Sequence, residues 1–188
     1  MRCYLVMCGD STFGALLAAI AMAAVTGSAQ ANDISRLTDF GTSEIPRQEA
    51  FITQVGDSNY ARVDQAATPG NTGHYAEITQ TGAANEATAT QTGNLNRAKI
   101  IQDGYANVAT TSQDGLRNSI DIAQSGSLNR LTGMQVGNDN SIVATQTSGA
   151  QATLSEIGNN NTIISTQSLT NLNVSVRITG NGMTVNIQ

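Results

Sequence analysis

Tryptophan is absent from this 188-residue sequence, aromatic residues make up 4% of it, and charged residues only 12%. Its two cysteines, Cys3 and Cys8, both fall within the first eight residues. A chain that begins beyond them has neither disulfides nor thiol chemistry, so something else must hold the fold. The formal net charge is -5 and the few basic residues are scattered. Nucleic acid is therefore not an expected partner, because phosphate binding needs a basic stripe. With one histidine and no cysteine beyond Cys8, nothing in the sequence supports a His/Cys metal site or nucleophilic catalysis by serine or threonine. No apolar run is long enough to span a membrane.

The longest apolar run, from Ala15 to Val25, follows Arg2 and precedes Ala29-Gln30-Ala31, a small-x-small cleavage pattern. Residues 1–31 read as a secretory signal peptide, although its first segment is weak, with Asp10 offsetting Arg2. The mature chain is expected to begin near Asn32. Residues 32–53 form a leader that is not rich in glycine and carries Leu37, Phe40, Ile45 and Phe51, and residues 54–188 form one repetitive domain.

What the sequence does have is amides at a fixed period. Glutamine recurs every eleven residues at Gln80, Gln91, Gln102, Gln113, Gln124, Gln135 and Gln146, and the step from Gln54 to Gln65 is the same. Glycine follows two residues later at Gly56, Gly82, Gly93, Gly104, Gly115, Gly126 and Gly137. Asparagine follows five residues later at Asn59, Asn85, Asn96, Asn107, Asn118, Asn129 and Asn140. The unit is Q-x-G-x-x-N-x-A-x-I-x-(Q), with small or apolar residues at the A and I positions. Such self-similarity dictates the fold before any local propensity does.

From each asparagine to the next glutamine the marked positions alternate, as in Asn96, Ala98, Ile100 and Gln102. That is a strand period, and it puts Arg97, Lys99 and Ile101 on the other face. Eleven is odd, so parity must be reset once per unit, and the glycine segment does this as a tight turn. One unit is then a strand and a turn. Two units make a rung of twenty-two residues, with one strand in each of two facing sheets. The expected fold is all-β: a β-solenoid of two facing parallel sheets, in effect cross-β, with about six two-strand rungs. Equivalent side chains would recur about 4.7–4.9 Å apart along the stack. A buried amide must find partners, and a column of identical amides supplies them from above and below. One sheet carries the bulkier pairs, such as Ile120/Ile122, and the other mostly small ones, such as Ala87/Ala89, which closes a thin core. Outward positions, including Arg62, Asp64, Glu86, Thr88, Thr110, Asp121 and Arg130, are largely polar.

This repeat resembles the curlin repeat of curli fibre subunits, secreted bacterial proteins that assemble into functional amyloid. The resemblance covers roughly residues 54–188. It implies export across the outer membrane through the curli secretion apparatus, co-assembly with other curlin subunits, and a cell-surface fimbrium that serves adhesion and biofilm matrix. It implies no cofactor, no small-molecule substrate and no enzymatic activity. The leader, and the degenerate last units, are more similar to the minor nucleator subunit than to the major subunit; the major-subunit role is the alternative.

The repeat is imperfect in informative places. Gln65 and Gln80 are fifteen apart, with Pro69 and Gly70 in a four-residue insertion that reads as an enlarged turn, and His74 falls in the asparagine column. The unit after Gln146 is one residue short if Glu156, ahead of Gly158 and Asn161, takes the next glutamine position, with Gln167 following. Beyond it, Leu169 replaces glycine, Leu172 and Met183 replace asparagine, and Ile178 replaces glutamine. Plainer readings stand beside these. His74 is a turn or ladder residue rather than a ligand, and Asp103 and Asp114 are solvated turn charges rather than a calcium site. The ladders alone would also suit a soluble solenoid adhesin or ice-binding module, though the mixed outward columns count against a flat array. The apolar last strands would also suit an ordinary cap.

Overall fold

The computed structural model describes residues 25–26, 34–39, 48–67 and 73–188. The expected signal peptide, apart from Val25 and Thr26, lies outside the described residues, as do Phe40 and Ile45 of the leader and Pro69 and Gly70 of the insertion.

Alternating burial and glycine punctuation produce fifteen strands, and no helix occurs among the described residues. They are β1 (Val25–Thr26), β2 (Ile34–Asp39), β3 (Glu49–Asp57), β4 (Tyr60–Ala67), β5 (Tyr75–Ala83), β6 (Glu86–Asn94), β7 (Arg97–Tyr105) and β8 (Val108–Leu116), followed by β9 (Ser119–Ser127), β10 (Arg130–Asn138), β11 (Ser141–Thr147), β12 (Gln151–Asn159), β13 (Thr162–Gln167), β14 (Asn173–Thr179) and β15 (Thr184–Ile187). Odd-numbered strands form one sheet and even-numbered strands the other, each ordered by sequence, so every strand pairs in parallel with the strand two ahead of it. The chain is a two-sheet β-solenoid of about six turns.

Register follows the glutamines. Gln80 pairs with Gln102, Gln102 with Gln124, and Gln91 with Gln113, each 22 residues apart. Where the units are irregular the register is held and the turn absorbs the difference. Gln54 meets Gln80 across 26 residues, and Gln135 meets Glu156 across 21. A slip of one residue would turn every core side chain outward, so the lattice tolerates variation only in its loops. Strand pairing also extends into the expected leader: Ile34 to Asp39 pair with Tyr60 to Gln65, and β3 begins at Glu49.

Between the sheets lies a thin dry core. Ala98 and Ile100 on β7, Ile120 and Ile122 on β9, and Ile142 and Ala144 on β11 are fully buried or nearly so, as are Ala87 and Ala89 on β6. Gly133 on β10 makes room where the isoleucines are largest. A Cβ there would sit 3.5 Å from Ile120 Cδ1. This pairing of bulk with smallness keeps the sheets close without voids.

The turns carry two left-handed positions. At Gly104 φ is +129°, and a Cβ would lie 1.9 Å from the carbonyl oxygen of Gly126 in the next rung. Glycine is needed there because successive rungs stack backbone on backbone, not only because of φ. Two residues later comes a second positive φ, held by ordinary residues such as Ala84, Leu95, Arg117 and Leu128. The backbone is tied down there by bonds between rungs, as in Ala84 N–H to Asp57 C=O at 3.0 Å and Leu128 N–H to Tyr105 C=O at 3.0 Å. Those bonds offset the modest cost of a side chain in that region.

Candidate functional site: the amide ladders

Each glutamine closes its strand and points inward, where the sheets meet. In the odd-strand sheet, Gln54, Gln80, Gln102, Gln124, Gln146 and Gln167 form one column. Each Nε2 donates to Oε1 of the next, at 2.7, 2.7, 2.8, 2.9 and 2.6 Å. In the even-strand sheet, Gln65, Gln91, Gln113 and Gln135 do the same at 2.9 Å per step, and Gln135 then donates to Glu156 Oε2 at 2.8 Å. All these residues are buried. The second amide hydrogen crosses to the opposite sheet and meets the carbonyl of that strand's first residue: Gln91 to Tyr75, Gln102 to Glu86, Gln113 to Arg97 and Gln124 to Val108, at 2.9–3.0 Å. The glutamines of these two columns thus bind rung to rung and sheet to sheet at once within the buried core.

Asparagines work differently from a plain side-chain ladder. Asn85 Oδ1 accepts the backbone N–H of Asn107 at 3.1 Å, and Asn85 Nδ2 donates to Gly104 C=O at 3.0 Å. The same pair of contacts recurs from Asn107 to Asn129 N–H and Gly126 C=O, and from Asn118 to Asn140 N–H and Gly137 C=O. Asn59, Asn96, Asn140 and Asn161 likewise donate to Gly82, Gly115, Gly158 and Gly180. Direct Asn-to-Asn bonds are added at several steps, such as Asn129 Nδ2 to Asn107 Oδ1 at 2.9 Å. The asparagine is therefore chiefly a backbone clamp, holding the turn glycine of the next rung. This ties the asparagine and glycine columns into one device: Gly56, Gly82, Gly93, Gly104, Gly115, Gly126, Gly137 and Gly158 all have positive φ.

His74 is buried in the asparagine column and imitates this clamp. Its Nδ1 accepts Asn96 N–H at 3.3 Å, and its Nε2 lies 3.2 Å from Ala66 C=O. That geometry calls for the neutral tautomer with its proton on Nε2. Ala150 and Met183 fill the same column without a side-chain amide, yet their backbone N–H groups still bond to Asn129 and Asn161 Oδ1, each at 3.1 Å.

Two features go beyond the eleven-residue unit. A further asparagine column runs along the turns: Leu116, Asn138 and Asn159 donate backbone N–H to Asn138, Asn159 and Asn181 Oδ1, respectively. Leu116 interrupts the residue pattern, so only the repeat of Asn138, Asn159 and Asn181 could have signalled it. The second is Glu156, a carboxyl in a glutamine slot that no solvent reaches; burial raises its pKa to about 7. Outside, Asp103 and Asp114 are exposed, and an Arg117–Asp139 pair at 2.7 Å bridges successive turns. The hydrogen bond between them raises the arginine's pKa and lowers that of the aspartate. At the surface, such a pair adds little to stability.

No cluster of three or more His, Cys, Asp or Glu residues converges among the described residues. Comparison with known proteins bears on the lattice itself. Residues 75–104, 96–126 and 115–147 match the family model of the Curlin associated repeat. No curated protein and no solved structure gives a significant match. The three matches fall on the stretch where both glutamine columns, the asparagine clamps and the stacked glycines are most regular.

Proposed function

We propose that this chain is a structural subunit of a curli-type extracellular amyloid fibre, exported by means of residues 1–31 and mature from about Asn32. The observation that carries the reading is the pair of amide columns, Gln54 to Gln167 and Gln65 to Gln135, which bind rung to rung through the stack. An open edge with regular inward amides is a template on which another chain of the same lattice adds strands. The partners are then other curlin chains and the outer-membrane secretion apparatus, and the setting is a cell-surface fimbrium for adhesion and biofilm matrix. Within that class we favour the minor subunit that nucleates growth. The supporting features are the glycine-poor leader and the loss of lattice residues at Leu169, Leu172, Ile178 and Met183. The test is direct. Purified mature chain at micromolar concentration should convert to fibres that diffract at about 4.7 and about 10 Å. A monomeric solenoid that stays soluble under those conditions overturns the proposal.

A further inference from the structure

Among the described residues, Glu156 is the single acidic side chain buried in the core. It occupies a slot that holds a carboxamide in the four rungs before it, from Gln65 to Gln135. Gln135 Nε2 donates to Oε2, as it would to a glutamine. Oε1 takes the place of the NH2 that, in the other rungs, donates to the first carbonyl of the facing strand; the register makes that carbonyl Ser141 here. Oε1 closes no hydrogen bond, although the backbone N–H of Ile163 on the facing strand favours the ionised form, a weaker effect than burial. A buried carboxyl oxygen that closes no hydrogen bond favours the neutral acid, whose O–H can stand in for the missing N–H.

What lies beyond it matters as much. The next residue in the column is Ile178 on β14, which offers neither donor nor acceptor, and β14 is the edge of its sheet. Only one rung separates Glu156 from an open end, so water can reach it when β14 and β15 lift away, whereas an interior slot would require opening the stack. Local opening at an edge is far less costly than global unfolding. The charged groups nearest in sequence on the flanking strands, Arg130 on β10 and Arg177 on β14, occupy outward-facing positions and are exposed. Neither can neutralise the carboxylate within the core.

We propose that Glu156 makes β14 and β15 a proton-gated cap, docked while the carboxyl is neutral and released when it ionises, which uncovers the edges of β12 and β13 with Asn161 and Gln167. The direction follows from linkage. A carboxyl whose pKa is raised on folding costs stability as pH climbs from about 4.5, and the cost levels off above about 7. This gate is a property of the solenoid and stands whether or not the chain nucleates fibres.

Hydrogen exchange on the folded full-length chain, corrected for intrinsic rates, tests it at about pH 5.5 and pH 8. Amide protection in residues 173–179 should fall about thirty-fold between the two, while β7 is unchanged. Glu156→Gln supplies the column's own residue and should abolish the fall; Arg177→Gln should leave it intact. Equal protection at both pH values in the unmodified chain, the same fall in Glu156→Gln, or its loss in Arg177→Gln overturns the proposal.

Discussion

Truncating Gln102 to alanine tests the ladder where it is most regular. The side chain accepts from Gln80 at 2.7 Å, donates to Gln124 at 2.8 Å and donates to Glu86 C=O at 2.9 Å. Alanine removes all three, in a buried core. Gln80 keeps its bond to Tyr60 C=O, and Gln124 keeps its donations to Val108 and Gln146, so neither amide is stripped completely. Each orphaned group still costs about 1–3 kcal/mol, and three of them, partly relaxed, amount to about 3–5 kcal/mol. With a guanidinium m-value of about 4 kcal/mol/M for a chain this size, the unfolding midpoint should drop by about 1 M. Thr110→Ala is the matched control, because its side chain is exposed on the outer face, and its midpoint should move by no more than about 0.1 M. Shifts of equal size would show that the glutamine column is not the principal tie between rungs.

Two further outcomes follow from the turns and the last rungs. Gly104→Ala meets a backbone oxygen of the next rung and should cost more than about 3 kcal/mol, whereas Gly133→Ala, whose Cβ would find ordinary contact with Ile120, should stay within about 1 kcal/mol; paired denaturation curves decide. If the favoured role is right, deleting residues 167–188 should release the chain from the cell surface while it still speeds fibre growth by a major curlin subunit in vitro. Cell fractionation and a seeding assay read the two halves separately, and a truncated chain that remains on cells refutes the anchoring role.

The architecture was legible because one odd period and one parity reset admit few folds. From Asn96, Ala98, Ile100 and Gln102 alone, the inward face, the turn and the parallel stacking could all be derived. The glutamine column was legible for the same reason. The asparagine clamp was harder to read: its partner, a glycine carbonyl one rung away, is backbone and leaves no residue pattern. The second left-handed position was hidden altogether, since Ser58, Ala84, Leu95 and Arg117 share no chemistry and the conformation is imposed by bonds between rungs. At Glu156 the sequence reveals a substituted slot, but its meaning depends on Ile178 beyond it and on the edge just past that, which only the register brings together.

Every carboxamide in both glutamine columns points its N–H toward the C-terminal rungs and its oxygen toward the N-terminal ones. Like magnets laid head to tail, these amides add their dipoles along the stack and polarise one another. The glutamine columns are therefore an electrical arrow, with a sense of direction written in side chains as well as in the parallel backbone, although the asparagine Oδ1 atoms face the opposite way. Two such bodies joined in line keep the arrow running, while two joined end against like end must reverse an amide in each column. Any filament built from this unit inherits one direction.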